Sequence, residues 1–132
     1  MKRLKHDIAI IVAPSPIHGV GLFAGQNINK NQIVHLWDSG DWRFIKKQDV
    51  VCDSKLEEMC ERFSVESKEG FHAPKRFSSM SIGWLVNHSD SPNLREHEEE
   101  YYAMRNISEG EELFINYRLL DSDFDNLPTI SE

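Results

Sequence analysis

Asn87-His88-Ser89-Asp90-Ser91-Pro92-Asn93, with Gly110-Glu111-Glu112-Leu113-Phe114-Ile115-Asn116-Tyr117 downstream of it, decides how this chain of 132 residues is read. The first block follows the apolar stretch Ile82 to Val86 directly. Polar groups that enter a core must be hydrogen-bonded, or each costs a few kcal/mol. Alone, Asn87-His88 reads as a capped structural turn with His88 packed in a core. With Pro92-Asn93 attached and the second block behind it, a functional site is the better reading. In the second block, alternation puts Leu113, Ile115 and Tyr117 on one face of a strand and Phe114 and Asn116 on the other. A tyrosine that closes a strand normally packs and makes one hydrogen bond. The Gly-Glu-Glu-Leu lead-in favours a hydroxyl that faces a site.

Outward from these blocks the chain reads as short strands and turns. Ile8 to Val12 is a β-branched strand stopped by Pro14 and Pro16. His18-Gly19-Val20-Gly21 is a turn, Leu22-Phe23-Ala24 starts a second extended piece, and Gln32 to Leu36 offers a third. Ile28 to Ile33 is a tight turn with Asn31 in the left-handed position, and Ile107 to Leu113 repeats that layout with Gly110. The match is too short to count as a repeat. Ser54-Lys55-Leu56-Glu57 is a capping box, and Leu56, Met59, Cys60 and Phe63 follow with helical spacing. Residues 64–74 are polar and interrupted by Gly70, which predicts a loop. Met80 to Val86 is a helical turn or a buried strand, and Ala103-Met104 and Leu113 to Tyr117 are strands.

Composition narrows the function classes. Hydrophobic residues make up 39% and charged residues 28%, as in a globular domain. The net charge of −7, from 22 acidic and 15 basic side chains, disfavours direct binding to nucleic acid and suits a cationic partner. The glutamates at 96, 98, 99 and 100 form an exposed turn or an attractor for a basic peptide. Apolar runs are too short to span a membrane, and Ile8 to Ala13 is too short for a secretory core, so an intracellular location is expected. Cys52 and Cys60 offer no Cys-x-x-Cys spacing, and His6, His18, His35, His72 and His97 are scattered, so no metal site is expected. The Asn-x-Ser sequons at Asn87 and Asn106 are read as coincidence. Gly19-Val20-Gly21 lacks the third glycine and the following helix of a dinucleotide fingerprint.

Four places in order along the chain carry a resemblance to a known family. Gly19-Val20-Gly21-Leu22-Phe23-Ala24 resembles the opening motif of the SET-domain protein-lysine methyltransferases, and residues 28–33 the turn after it. Asn87 to Asn93 resembles their central motif and Ile107 to Tyr117 their last one. The likeness is to the minimal viral and bacterial type, without zinc-binding flanking regions. It implies a mainly β chain with one or two short helices, in the SET-domain (β-clip) fold with a C-terminal pseudoknot. Residues 1–132 would form one domain with a core of residues 8–118 and a tail of 119–132.

By the same resemblance, S-adenosylmethionine is the cofactor and no metal takes part. Gly19, Val20, Gly21, Asn87 and His88 would contact the cofactor, and Tyr117 would be the active-site tyrosine. The partner is a protein or peptide carrying a lysine, with a basic, histone-like segment suited to the charge. Neither nucleic acid nor membrane is expected, and monomer and homodimer both stay open, as do cytoplasm and nucleus. Three departures stand out: Asp90 where the family commonly has Cys, Asn116 where it usually has Asp, and no cysteine cluster after Tyr117. Something else must then close the lysine channel. Phe124 is nominated as its lid, with Tyr101 and Tyr102 as channel lining or sheet packing. The alternative function is a catalytically silent SET-fold module that binds a peptide or partner.

Overall fold

The β-branched run near the N-terminus forms β1 (Ile10–Pro14) in a computed structural model that describes residues 7–122. Along the chain follow β2 (Val20–Ala24), β3 (Ile33–Val34), β4 (Arg43–Lys46), helix α1 (Lys55–Phe63), β5 (Val65–Glu66) and β6 (Gly70–Ala73). Then come β7 (Asn87–His88), β8 (Leu94–His97), β9 (Glu100–Ala103) and β10 (Glu112–Ile115). Two compact units result, which among the described residues are 7–36 with 85–116, and 37–84 with 117–122. No helix among the described residues is long and apolar enough to cross a membrane. The mainly β expectation with one α-helix holds.

In the first unit β1, β2, β10 and β7 form one sheet in that order, and β3, β9 and β8 form another. The strand stops at Pro14 as expected, with Pro14 as its last paired residue, in a register that runs from Ile10 with Ala24 to Pro14 with Val20. Proline is tolerated there because, among the described residues, β1 is the outer strand, with no second neighbour that needs its missing N–H.

The two similar turns prove to be partners. Ile28 and Ile107 exchange both backbone hydrogen bonds at 2.8 Å. The Lys30 N–H donates to Asn106 Oδ1 and the Glu109 N–H to Asn27 Oδ1. Asn31 and Gly110 both have positive φ, 71° and 91°. The correspondence extends into the sheets: Phe23 pairs with Glu112 and Leu22 with Leu113, as Tyr102 pairs with Ile33 and Tyr101 with Val34. Each turn thus sends its second strand into the sheet of the other, a pseudo-twofold exchange that short local similarity does not reveal. Leu22, Ile28, Val34, Leu94, Ile107, Leu113 and Ile115, all at most 2% exposed, form the core of this unit.

Where β8 turns into β9, the linking residues Glu98 and Glu99 both have positive φ, 51° and 69°. Such a two-residue turn favours Asn-Gly, and an ordinary side chain costs about 1 kcal/mol at each left-handed position. Glu98→Asn with Glu99→Gly is therefore expected to stabilise the protein by about 1–2 kcal/mol. An unchanged thermal midpoint would refute this account of the turn.

The second unit carries the sheet β4-β6-β5, with α1 against β5 and β6. Ser54 caps α1 as expected, its side chain accepting from the Glu57 N–H at 3.1 Å, while Glu57 reaches back to the Asp53 N–H. Only Cys60 of the helix is fully buried, and Leu56 is exposed. The loop expected over 64–74 is instead the hairpin β5–β6, with Phe71, His72 and Ala73 all buried. Its polar residues suggested solvent, but the strand is buried on both sides, so no alternation signals it. Met80 to Val86 contains the 3-10 turn Ile82–Leu85. Gly83 there lies against the Trp37 ring, which meets Trp84 edge-on at 5.8 Å.

Asp41 ties this unit's loops together. Its carboxylate accepts from the Lys75 N–H at 3.0 Å and the Ser81 N–H at 2.6 Å. Burial alone would raise its pKa, but the hydrogen bonds from Ser81, Lys75 and Trp84 outweigh it and hold the carboxyl below its ordinary value. A depressed folded pKa gives stability that is present above the unfolded pKa and lost as pH falls through the folded one. Asp41→Asn is expected to cost about 1–2 kcal/mol at pH 7, with the gap to wild type closing below about pH 4. Denaturant titrations at pH 7 and pH 3 read both numbers, and a gap independent of pH would refute it.

Candidate functional site

The site of the first unit begins where Ser15 to Gly19 enters β2. The Ser15 N–H donates to the Gly19 carbonyl at 2.8 Å, and Ser15 Oγ accepts from the Ile17 N–H at 3.0 Å. Gly19 has φ +49° with no atom within 4 Å of where a side chain would stand, so its main chain is open to close approach.

Asn87 meets this loop from β7. Its Nδ2 lies 3.2 Å from the His18 carbonyl, 3.2 Å from the Val20 carbonyl and 2.8 Å from Glu112 Oε2. All three neighbours are pure acceptors, so the amide nitrogen must face them. Oδ1 is then the acceptor left over, and among the described residues it receives no hydrogen bond. Glu112 also accepts from Ser15 Oγ at 2.8 and 2.9 Å. Gly21 lies over this cluster, and a Cβ on it would overlap Glu112 Oε2 and stand 3.0 Å from Asn87 Nδ2.

The central and last sequence blocks are laced together. Strand β7 runs parallel to β10, with Asn87 opposite Phe114 and His88 opposite Ile115. The Asn93 side chain imitates a strand backbone, donating to the Glu112 carbonyl at 2.8 Å and accepting from the Phe114 N–H at 2.9 Å. His88 Nε2 stands 3.0 Å from Asp90 Oδ1, at the position noted above as departing from Cys.

Tyr117 does not close a strand. Strand β10 ends at Ile115, and Tyr117 opens the 3-10 helix Tyr117–Ser122 in the second unit. Burial pushes its phenol from an ordinary pKa of 10.0 up to about 12, so the hydroxyl is neutral at physiological pH.

Of the residues expected to hold a cofactor, the structure brings Val20 and Gly21 together with Asn87, with Gly19 at the head of the same strand and His88 beside Asn87. Tyr101 and Tyr102 stand in the other sheet, on β9. Tyr101 is buried opposite Val34, and Tyr102 lies under the Arg95 guanidinium at 5.3 Å. Phe124 and His6 lie outside the described residues. Cys52, Asp53 and Glu57 come within 4.8 Å of one another at the start of α1. The positive end of the helix dipole disfavours a cation there, and Glu57 already caps the Asp53 N–H. Ser15 and Glu112 are the residues that sequence reasoning missed. Glu112 lay inside the quoted block, and its alternation against the core residue Leu113 was the available signal.

A family model described as SET domain matches residues 19–118. Among solved structures, a candidate histone methyltransferase of Plasmodium falciparum is similar at 24% identity and a TM-score of 0.50, over 82% of this chain and 91% of that one. A Chaetomium thermophilum Polycomb Repressive Complex 2 bound to GSK126 is similar at 21% identity and a TM-score of 0.57, over 83% of this chain. The present chain spans 16% of that one. At these identities the likeness is one of fold. No curated protein sequence matches the chain.

Proposed function

Because this chain belongs to the SET-domain family, we propose that it transfers a methyl group from S-adenosylmethionine to the side-chain amine of a protein lysine. The observation that carries the reading is the meeting of the Gly19–Gly21 segment with Asn87 through the Asn87 amide nitrogen. Open main chain at Gly19 and an outstanding amide acceptor at Asn87 fit a ligand with a polar, cationic amino-acid end. When bound, S-adenosylmethionine supplies an electrophilic methyl group on a sulfonium.

The remaining work is positioning and proton control. Gly19, Val20 and Gly21 offer backbone groups, and Asn87 and His88 hold the cofactor from β7. Alignment of reacting atoms at about 3–3.5 Å is itself a large part of such catalysis. The lysine amine must be neutral, which from a pKa of ~10.4 costs about 4–5 kcal/mol at pH 7. A desolvating channel and a nearby positive charge both lower that cost. Tyr117, neutral at this pH, is a poor proton acceptor, so in this reading its hydroxyl orients the amine. The net charge of −7 suits a basic, histone-like substrate segment.

The test is transfer of a labelled methyl group from S-adenosylmethionine to core histones and to lysate proteins. Labelled lysine is the expected product. Asn116, in place of the usual Asp, favours the second reading, a silent binding module. Cofactor uptake without transfer to any of these proteins would support that module instead, and no uptake with no transfer would defeat the enzyme reading.

A further inference from the structure

The Glu112 carboxylate joins two parts of the proposed cofactor site that no sequence motif links. On one side it takes the Ser15 hydroxyl, which in turn accepts from the Ile17 N–H and so shapes the loop that leads to Gly19. On the other it takes Asn87 Nδ2 at 2.8 Å, the shortest of that atom's three contacts. The missing Cβ at Gly21 gives the carboxylate its place. We propose that Glu112 is a positioning residue for the methyl donor, and that Ser15 works through it. This inference rests on the proposed cofactor site.

Two carbonyls and a carboxylate around Nδ2 leave Asn87 a single orientation, with Oδ1 turned to the ligand side. Without the carboxylate, the strongest of these acceptors is lost, because hydrogen bonds to an ionised acceptor are about twice as strong as neutral ones. The amide is then free to turn, and the loop loses its Ser15 tether in the same step. Binding energy for the donor would go into ordering both.

Glutamine at 112 separates geometry from charge. Its carbonyl, at the place of Oε2, can accept from Asn87 and Ser15 together, as Oε2 does now. Alanine can do neither. Titration calorimetry with S-adenosylmethionine should show Glu112→Ala weakened by about tenfold or more and Ser15→Ala by about threefold. Glu112→Gln should stay within about threefold of wild type. The Ser15→Ala, Glu112→Ala double variant should bind like Glu112→Ala, because the two side chains act as one unit. Saturating donor should restore most of kcat in Glu112→Ala.

Ligand-free thermal melts of each variant separate lost folding from lost positioning, and Ser15→Ala removes only a hydroxyl near the surface. If Asn87→Ala loses the cofactor while Glu112→Ala binds as wild type, the positioning role is overturned and the site stands. The role is also overturned if Glu112→Gln binds as poorly as Glu112→Ala, or if the two single effects simply add. A wild type that takes up no S-adenosylmethionine, or an Asn87→Ala variant that binds it normally, overturns the proposed site itself.

Discussion

Tyr117→Phe is expected to lower methyl transfer by about two to three orders of magnitude, while S-adenosylmethionine still binds within about twofold of wild type. The substitution removes one hydroxyl and keeps the ring, so the half-buried side chain can pack as before. Under the proposed function, what is lost is the hydroxyl that orients the amine, and preorganised groups of that kind commonly contribute such factors. The phenol also predicts the pH profile. With its pKa raised by burial to about 12, Tyr117 keeps its proton across the working range. Rates should therefore climb with pH as the substrate amine deprotonates, with no falling limb from Tyr117 below about pH 11. The stability linkage has the matching sign. A raised folded pKa stabilises fully below the ordinary value of 10.0, and the effect is lost as pH rises through about 12. Single-turnover rates at saturating donor decide the matter: a phenylalanine variant at the wild-type rate removes Tyr117 from the chemistry.

The largest effect on folding is expected at Gly70, which belongs to none of the quoted motifs. Gly70 opens β6 opposite Lys46 and is buried. A methyl group there would overlap the Ile45 carbonyl oxygen and stand 2.7 Å from Phe44 Cζ. The carbonyl belongs to β4, so it moves only if the pairing of β4 with β6 moves as well. The Gly70 carbonyl meanwhile accepts from the Ser67 N–H at 2.8 Å, which holds the hairpin turn from the other side. Gly70→Ala should therefore cost about 3 kcal/mol or more, a fall of roughly 10–20 °C in Tm for a chain of this size. Gly40 is the control. Its φ of +78° strains any side chain, but no atom lies within 4 Å, so Gly40→Ala should cost only about 1 kcal/mol. Circular-dichroism melts that gave the two variants the same Tm would refute the steric account.

Much of the fold was legible because its signals are local. The strand near Ile10, the capped helix after Ser54 and the left-handed residues at Asn31 and Gly110 follow from side-chain stiffness, capping and backbone sterics within a few residues. The hairpin at 65–73 was not legible. A strand buried on both sides has no alternation, and Gly70 resembles a loop residue until the Ile45 carbonyl is seen to need its space. Tyr117 was placed at a strand end by alternation that stops at Ile115.

The division holds at the site as well. Sequence alone determined which side chains are candidates, because the blocks around Asn87 and Tyr117 are specific as strings of residues. Only the tertiary structure decided that Asn87 reaches the carbonyls of His18 and Val20, with Glu112 and Ser15 behind it. It also decided that the two similar turns exchange strands. Both rest on hydrogen bonds between groups dozens of residues apart. Local propensity carries no information about such pairings, because they form only when the chain has closed its long loops.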